Sequence, residues 1–213
     1  MPDAVRALAT IIARSARATP VFLDANILLP QYLRSTFLDL ADAGLIQAHW
    51  SPLVLKEVQR NLVKPAFGQT ARQAAEVVRL LDRAFPDARI RASKMLEHGF
   101  SASVDAKDIH VAASALKLSQ RHHPDLPVFL VTNNTRHLPQ AAFLGTRIRS
   151  LRPGVFLAAL LKARPRTADV LAAMLLRFKA PSVAQDDYLN LLDRHGCSIF
   201  ATALANHWGY AAA

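Results

Sequence analysis

Apolar residues along this chain follow two rhythms, short unbroken runs and stripes spaced three and four apart. Val21–Leu23 and Val128–Val131 are runs without a polar break, the pattern of a strand covered on both faces. Ile46–Trp50, Arg89–Arg91 and Thr146–Leu151 read as further short strands, the last at a sheet edge. Between them the spacing becomes helical, over 4–17, 30–43, Pro52 to Leu62, 69–85, Ser103–Leu118 and 153–163. In the 69–85 helix the apolar side is read as Ala75, Val78 and Leu81. Punctuation supports these ends: Pro30 suits a first turn, Gly44 a helix stop, and Ser51-Pro52 an N-cap followed by N1. Strands alternating with helices predict an α/β fold, a central parallel sheet of four or five strands flanked by helices. After "KARPRT" (162–167) only helical spacing remains, through Val170, Leu171, Met174, Leu175 and Phe178. Pro181 interrupts it, and 185–193 and 198–208 follow. The expected division is a main domain over 1–160 and a helical C-terminal extension over 161–213.

Composition fits a packed protein, since 52% apolar and 20% charged residues supply a core and argue against disorder. No apolar run approaches the roughly 18–20 residues that span a membrane. Ala7–Ala13, with Arg6, Arg14 and Arg17 around it, reads as an amphipathic first helix rather than a targeting segment. Cys197 is the one cysteine and is read as a packed thiol; without an internal disulfide the chain fits a reducing, cytoplasmic setting.

Charge changes the picture more. The net charge is +10, and a field of that sign attracts polyanions, nucleic acid first among them. Residues 1–155 carry 20 basic against 12 acidic side chains, and 156–213 carry 6 against 4. The excess therefore belongs to the larger part, and any binding face is assembled by folding.

Candidate chemistry sits where the buried runs turn polar. "PVFL" occurs at 20–23 and again at 127–130, followed closely by Asp24 in one case and Thr132-Asn133-Asn134 in the other. Ligands of open parallel sheets bind beyond the carboxyl ends of the strands, so both ends are expected on one edge. Glu57, early in its helix, and Asp108, at the start of another, can reach the same edge. Converging carboxylates repel, by roughly 4 kcal/mol for a pair about 4 Å apart at an effective dielectric near 20. A divalent cation removes that repulsion, and hard oxygen donors favour Mg²⁺ or Mn²⁺. Such an ion in a basic protein points to phosphodiester hydrolysis by a metal-activated water.

"VFLDANIL", "WSPLVLKEVQRNL", "DAKDIHVAASAL" and "VFLVTNNTRHLP" resemble, in order, the four motifs of PIN-domain ribonucleases, and especially the VapC-type toxins of bacterial toxin–antitoxin pairs. The resemblance covers about 20–155, and the C-terminal helices resemble those of a longer branch of that group. It implies a PIN-like sheet and a metal-dependent endoribonuclease leaving 5′-phosphate and 3′-hydroxyl ends. It implies metal binding by Asp24, Glu57 and Asp108, a site role for Asn134, and support from Asn26 and Thr132. It also implies an RNA substrate, a cognate antitoxin and frequent homodimers. The family's fourth position, often Asp or Asn, is matched by Asn134, and its neutrality here weakens a second metal position.

Other readings stand beside these. Asp105 is either a further acid or a helix cap. Arg60 either touches phosphate or pairs on the surface. His110, two residues after Asp108, is expected to point away from that carboxylate. Lys162, Arg164 and Arg166 form either an RNA-facing patch or a solvated linker. His195, Cys197 and His207 lack zinc-ligand spacing. A haloacid-dehalogenase-type phosphatase would need an Asp where Asn26 stands. A non-catalytic RNA- or partner-binding PIN-like module is the main alternative to the nuclease.

Overall fold

The computed structural model describes residues 2–100, 102–179 and 181–210. In chain order the elements are α1 (Pro2–Ala13), β1 (Thr19–Leu23), α2 (Ala25–Leu28), α3 (Gln31–Asp42), β2 (Ile46–His49), α4 (Pro52–Leu62), α5 (Ala71–Ala84) and α6 (Lys94–His98). They continue with α7 (Ile109–Lys117), β3 (Val128–Val131), β4 (Ile148–Leu151), α8 (Pro153–Ala163), α9 (Arg166–Arg177), α10 (Gln185–Arg194) and α11 (Ser198–His207). The four strands form one parallel sheet in the order β2–β1–β3–β4, flanked by helices. That is the predicted α/β class at four strands. At its centre Val21, Phe22 and Leu23 face Phe129, Leu130 and Val131 in parallel register. All six are fully buried, which explains why neither run could include a polar residue.

Several boundaries differ from the sequence reading, each for a local reason. α1 stops at Ala13 instead of 17, where the Ser15 hydroxyl takes the Arg17 amide proton (3.1 Å) and offers the backbone a turn. The helix expected from Ser103 starts only at Ile109, because the amides of Ser103 and Val104 both turn back to the Phe100 carbonyl. It then continues as a single π turn over Leu118–His122. Arg89–Arg91 is not a strand; one parallel bridge links Trp50 to Arg89. On α5 the buried residues are Ala74 and Leu81, while Ala75 is exposed. The Ser51 cap is as expected, accepting from the Val54 amide at 3.1 Å.

Contacts divide the chain into two compact units, 1–19 with 30–47 and 151–213, and 20–29 with 48–150. In the first, α1 and α11 both pack on α8, α10 packs on α11, and α9 on α3. Phe37 stacks on Phe156 with ring centres 6.0 Å apart. Tyr188 is fully buried and shares a 2.6 Å hydrogen bond with the Thr36 hydroxyl. Thr36 gives its own proton to the Tyr32 carbonyl (2.8 Å), so Tyr188 is the donor. Gly154 lies so close to Cys197 that a β-carbon there would sit 2.7 Å from the Cys197 α-carbon. Burial pushes the Cys197 thiol up to about 12, which fits a packed thiol. Arg164 belongs to neither reading of the basic stretch. Its guanidinium clamps three main-chain carbonyls, those of Leu45 (2.6 Å), Ser15 (3.1 Å) and Arg17 (2.5 Å).

In the second unit α4 packs on α2 and α5, and α6 on α7. Trp50 is fully buried against Phe85. His49 is buried nearby, with its Nε2 3.4 Å from that of His123.

Candidate functional site

The site is built at the ends of β1 and β3. Past Leu23 the pairing runs on for one residue, because the Asp24 amide donates to the Val131 carbonyl at 3.2 Å. The chain then bends, and Asp24 becomes the N-cap of α2, its Oδ1 accepting from the Ala25 amide at 2.7 Å. Its Oδ2 accepts from the Thr132 hydroxyl and from Asn26 Nδ2, both at 2.6 Å. Thr132 Oγ1 in turn accepts from Asn26 Nδ2 (3.1 Å) and the Asn134 amide (2.9 Å). Asn26 Oδ1 accepts from the Asn133 amide at 2.9 Å. Asn26 and Thr132 thus hold Asp24 in place and tie the two strand ends together. Thr132 itself is fully buried.

Asp108 caps α7 through its main-chain carbonyl, which accepts from the amides of Val111 (3.0 Å) and Ala112 (3.2 Å). Its carboxylate makes no cap bond and takes Asn134 Nδ2 instead, at 2.9 Å. Asn134 is therefore a hydrogen-bond donor to one of the expected ligands. Glu57 stands half-buried in the second turn of α4.

Asp24, Glu57, Asp108 and Asn134 line one pocket of about 540 Å³. Each of the three acids is harder to ionise than usual. Burial raises Asp24 even though three donors oppose it. Burial also raises Glu57 and Asp108, and in both the next cause is the charge of Asp24. The negative field of Asp24 thus adds to burial in disfavouring ionisation of Glu57 and Asp108. Lys56, Arg60 and Lys107 also line the pocket. Their positive charges counter that field only in part: Arg60 and Lys107 act on Glu57, and Lys107 on Asp108.

Two histidines change the expected cast. His110 lines this pocket and does not point away from it, and the charges of Asp24 and Asp108 both act on its ring. The two-residue rule for helix faces fails here because Asp108 lies outside the helix, which begins at Ile109. His110 Nδ1 is buried and finds no hydrogen-bond partner among the described residues. His137 was not singled out by sequence. Its Nδ1 lies 3.5 Å from Oδ2 of both Asp105 and Asp108, and these three side chains could share an ion. The signal was its place in "TNNTRH", where the His137 amide turns back to the Asn134 carbonyl at 3.1 Å. Asp105 does not cap the helix; its Oδ1 accepts from the Lys107 amide at 3.2 Å in the turn before it.

Asp24, Glu57 and Asp108 bring three carboxylates to one pocket, while the described residues whose ligand atoms lie close enough to share one ion are Asp105, Asp108 and His137, without Asp24 or Glu57. Comparison with known proteins gives no match, whether against family models, curated proteins or solved structures. Among the described residues no helix is long and apolar enough to cross a membrane.

Proposed function

We propose that this protein is a metal-dependent endoribonuclease of the PIN type, its motifs resembling those of the VapC-type toxins of toxin–antitoxin pairs. The observation that carries the proposal is geometric: Asp24, Glu57 and Asp108 line one pocket together with Lys56, Arg60 and Lys107. Mg²⁺ or Mn²⁺ held there by the three carboxylates would supply Lewis acidity toward a scissile phosphate and a water. The chain's own groups do the rest. Asn26 and Thr132 fix the Asp24 carboxylate, and Asn134 fixes that of Asp108, so neither turns away when substrate enters. Lys56, Arg60 and Lys107 face the incoming phosphates, which is where a chain of net charge +10 meets a polyanion.

A phosphatase using Asp24 as nucleophile gains no support, because Asn26 spends its amide protons on Asp24 and Thr132 and carries no acidic proton. A cognate antitoxin, a homodimer and a cytoplasmic setting are part of the same proposal and rest on the motif resemblance. The test is cleavage of total RNA with Mg²⁺, with Mn²⁺ and with EDTA, comparing wild type with Asp24→Asn. Cation-dependent cutting that the substitution abolishes is expected. Equal cutting by both proteins refutes the assignment, and cation-independent binding without cutting would favour the non-catalytic module.

A further inference from the structure

A groove of about 890 Å³ opens in the first unit, lined by α1, α8 and α11. Its largest wall is one face of α11: Ile199, Thr202, Ala203, Asn206 and His207. These positions are spaced three and four apart across a little over two turns, about 12 Å of helix. α8 contributes Ala158, Leu161 and Lys162 with the same spacing, and Leu161 and Ala158 form a buried floor. Small side chains along both helices let another backbone come close. Three cationic or protonatable groups stand in the lining, Arg6, Lys162 and His207, and none of the lining residues is acidic.

We propose that this groove is a docking site for an amphipathic helix of a partner protein, one that carries carboxylates beside its apolar stripe. The lining positions of α8 and α11, spaced three and four apart beside a buried floor of Ala158 and Leu161, match the i, i+3, i+4, i+7 anchors of a helix lying in a groove. The absence of acids from the lining, with Arg6 on α1 and Lys162 on α8, selects acidic flanks by charge complementarity. A second copy of this chain fits less well. A twofold contact would set Arg6, Lys162 and His207 against their own counterparts in a chain already at +10. The proposal does not depend on the nuclease reading, since no residue of the acid pocket takes part.

The probe is a hydrocarbon-stapled 14-residue helix, fluorescein-labelled, with Leu at i, i+3, i+4 and i+7 and Glu on either side. Two controls share its length, one with Lys for Glu and one with scrambled order. Anisotropy titration against the full chain is expected to show the acidic helix binding at least ten-fold tighter than either control. Thr202→Glu and Lys162→Glu, both at exposed positions, are each expected to weaken it at least ten-fold with circular dichroism unchanged. RNA cleavage by Thr202→Glu is expected to equal that of wild type. Equal affinity for all three peptides, no binding of any, or full affinity in both variants overturns the proposal. So does displacement of the peptide by sodium oleate at equal concentration, which would make this a fatty-acid site. A dimer seen by light scattering and abolished by Thr202→Glu would name a second copy as the occupant, and also overturn it.

Discussion

Two buried polar clusters join distant parts of this chain, and they differ in one respect. In the first unit Tyr188 and Thr36, 152 residues apart, share a hydrogen bond between neutral groups and satisfy each other. In the second, Asp24 and Thr132, 108 residues apart, are joined just as closely, yet Asp24 remains harder to ionise than a carboxyl in water. Hydrogen bonds are enough to settle a buried hydroxyl pair; they are not enough to settle a buried charge with two other carboxylates in its field. The neutral pair reads as architecture; the charged one keeps a carboxyl whose ionisation burial opposes, at the pocket assigned above to the proposed activity.

The largest effect that can break this contrast is on turnover. Asp24→Asn should lower RNA cleavage by a factor of ~10³ or more, equivalent to about 4 kcal/mol of barrier, while Tyr188→Phe leaves cleavage within about two-fold. Initial rates on one defined RNA, at saturating Mn²⁺, measure both. A comparable loss in the two variants would remove the distinction between site and scaffold.

Burial of a titratable group can be isolated at His49, whose pKa falls to about 4, mainly through burial and then through the charges of His123 and His122. The folded pKa lies below the unfolded one, so stability is complete above about pH 6.5 and is lost as pH falls toward 4. The loss should reach about 3 kcal/mol. Urea midpoints across pH 7 to 4 should show that slope in wild type, and His49→Asn should flatten it. The raised carboxyls act with the opposite sign, favouring the fold as they take up protons. The difference between the two proteins is therefore the informative quantity.

A cation should relieve the charged cluster and leave the neutral one untouched. In EDTA the three raised carboxyls cost stability increasingly as pH rises through their folded pKa values. Mn²⁺ at a hundred times its Kd should restore about 2.7 kcal/mol, read as a rise in Tm at pH 7.5. Asp24→Asn should show little of that rise, and Tyr188→Phe all of it. The smallest effect is on the neutral pair itself. Tyr188→Phe removes the donor to Thr36 and should cost about 1–2 kcal/mol in urea unfolding; no loss would mean the hydroxyl pair contributes nothing.

What could be read from the chain beforehand divides along physical lines. The runs around Phe22 and Leu130 were legible because burial on two faces leaves no room for a polar residue. Asp24, Glu57 and Asp108 were legible as polar residues set at the ends of those runs or early in helices, and all three line one pocket. His110 was misread because helical periodicity was applied one turn too early. His137 was missed because a turn after a strand has no periodicity to reveal which side chain it aims. The basic excess was visible as a sum, but not that Arg164 would be consumed by three carbonyls. The helical stretch after 162 showed apolar spacing and could not show which of its faces would be left uncovered.

Gly154 sets a limit on how the groove can change. Because the backbone at Cys197 leaves no space for even a methyl group, the second residue of α8 accepts a single amino acid, and the start of α11 is seated at a fixed separation. The width of the binding cleft can then be tuned only from its walls, by exchanging residues such as Thr202 or Ala203, while its base stays the same in every variant that still folds.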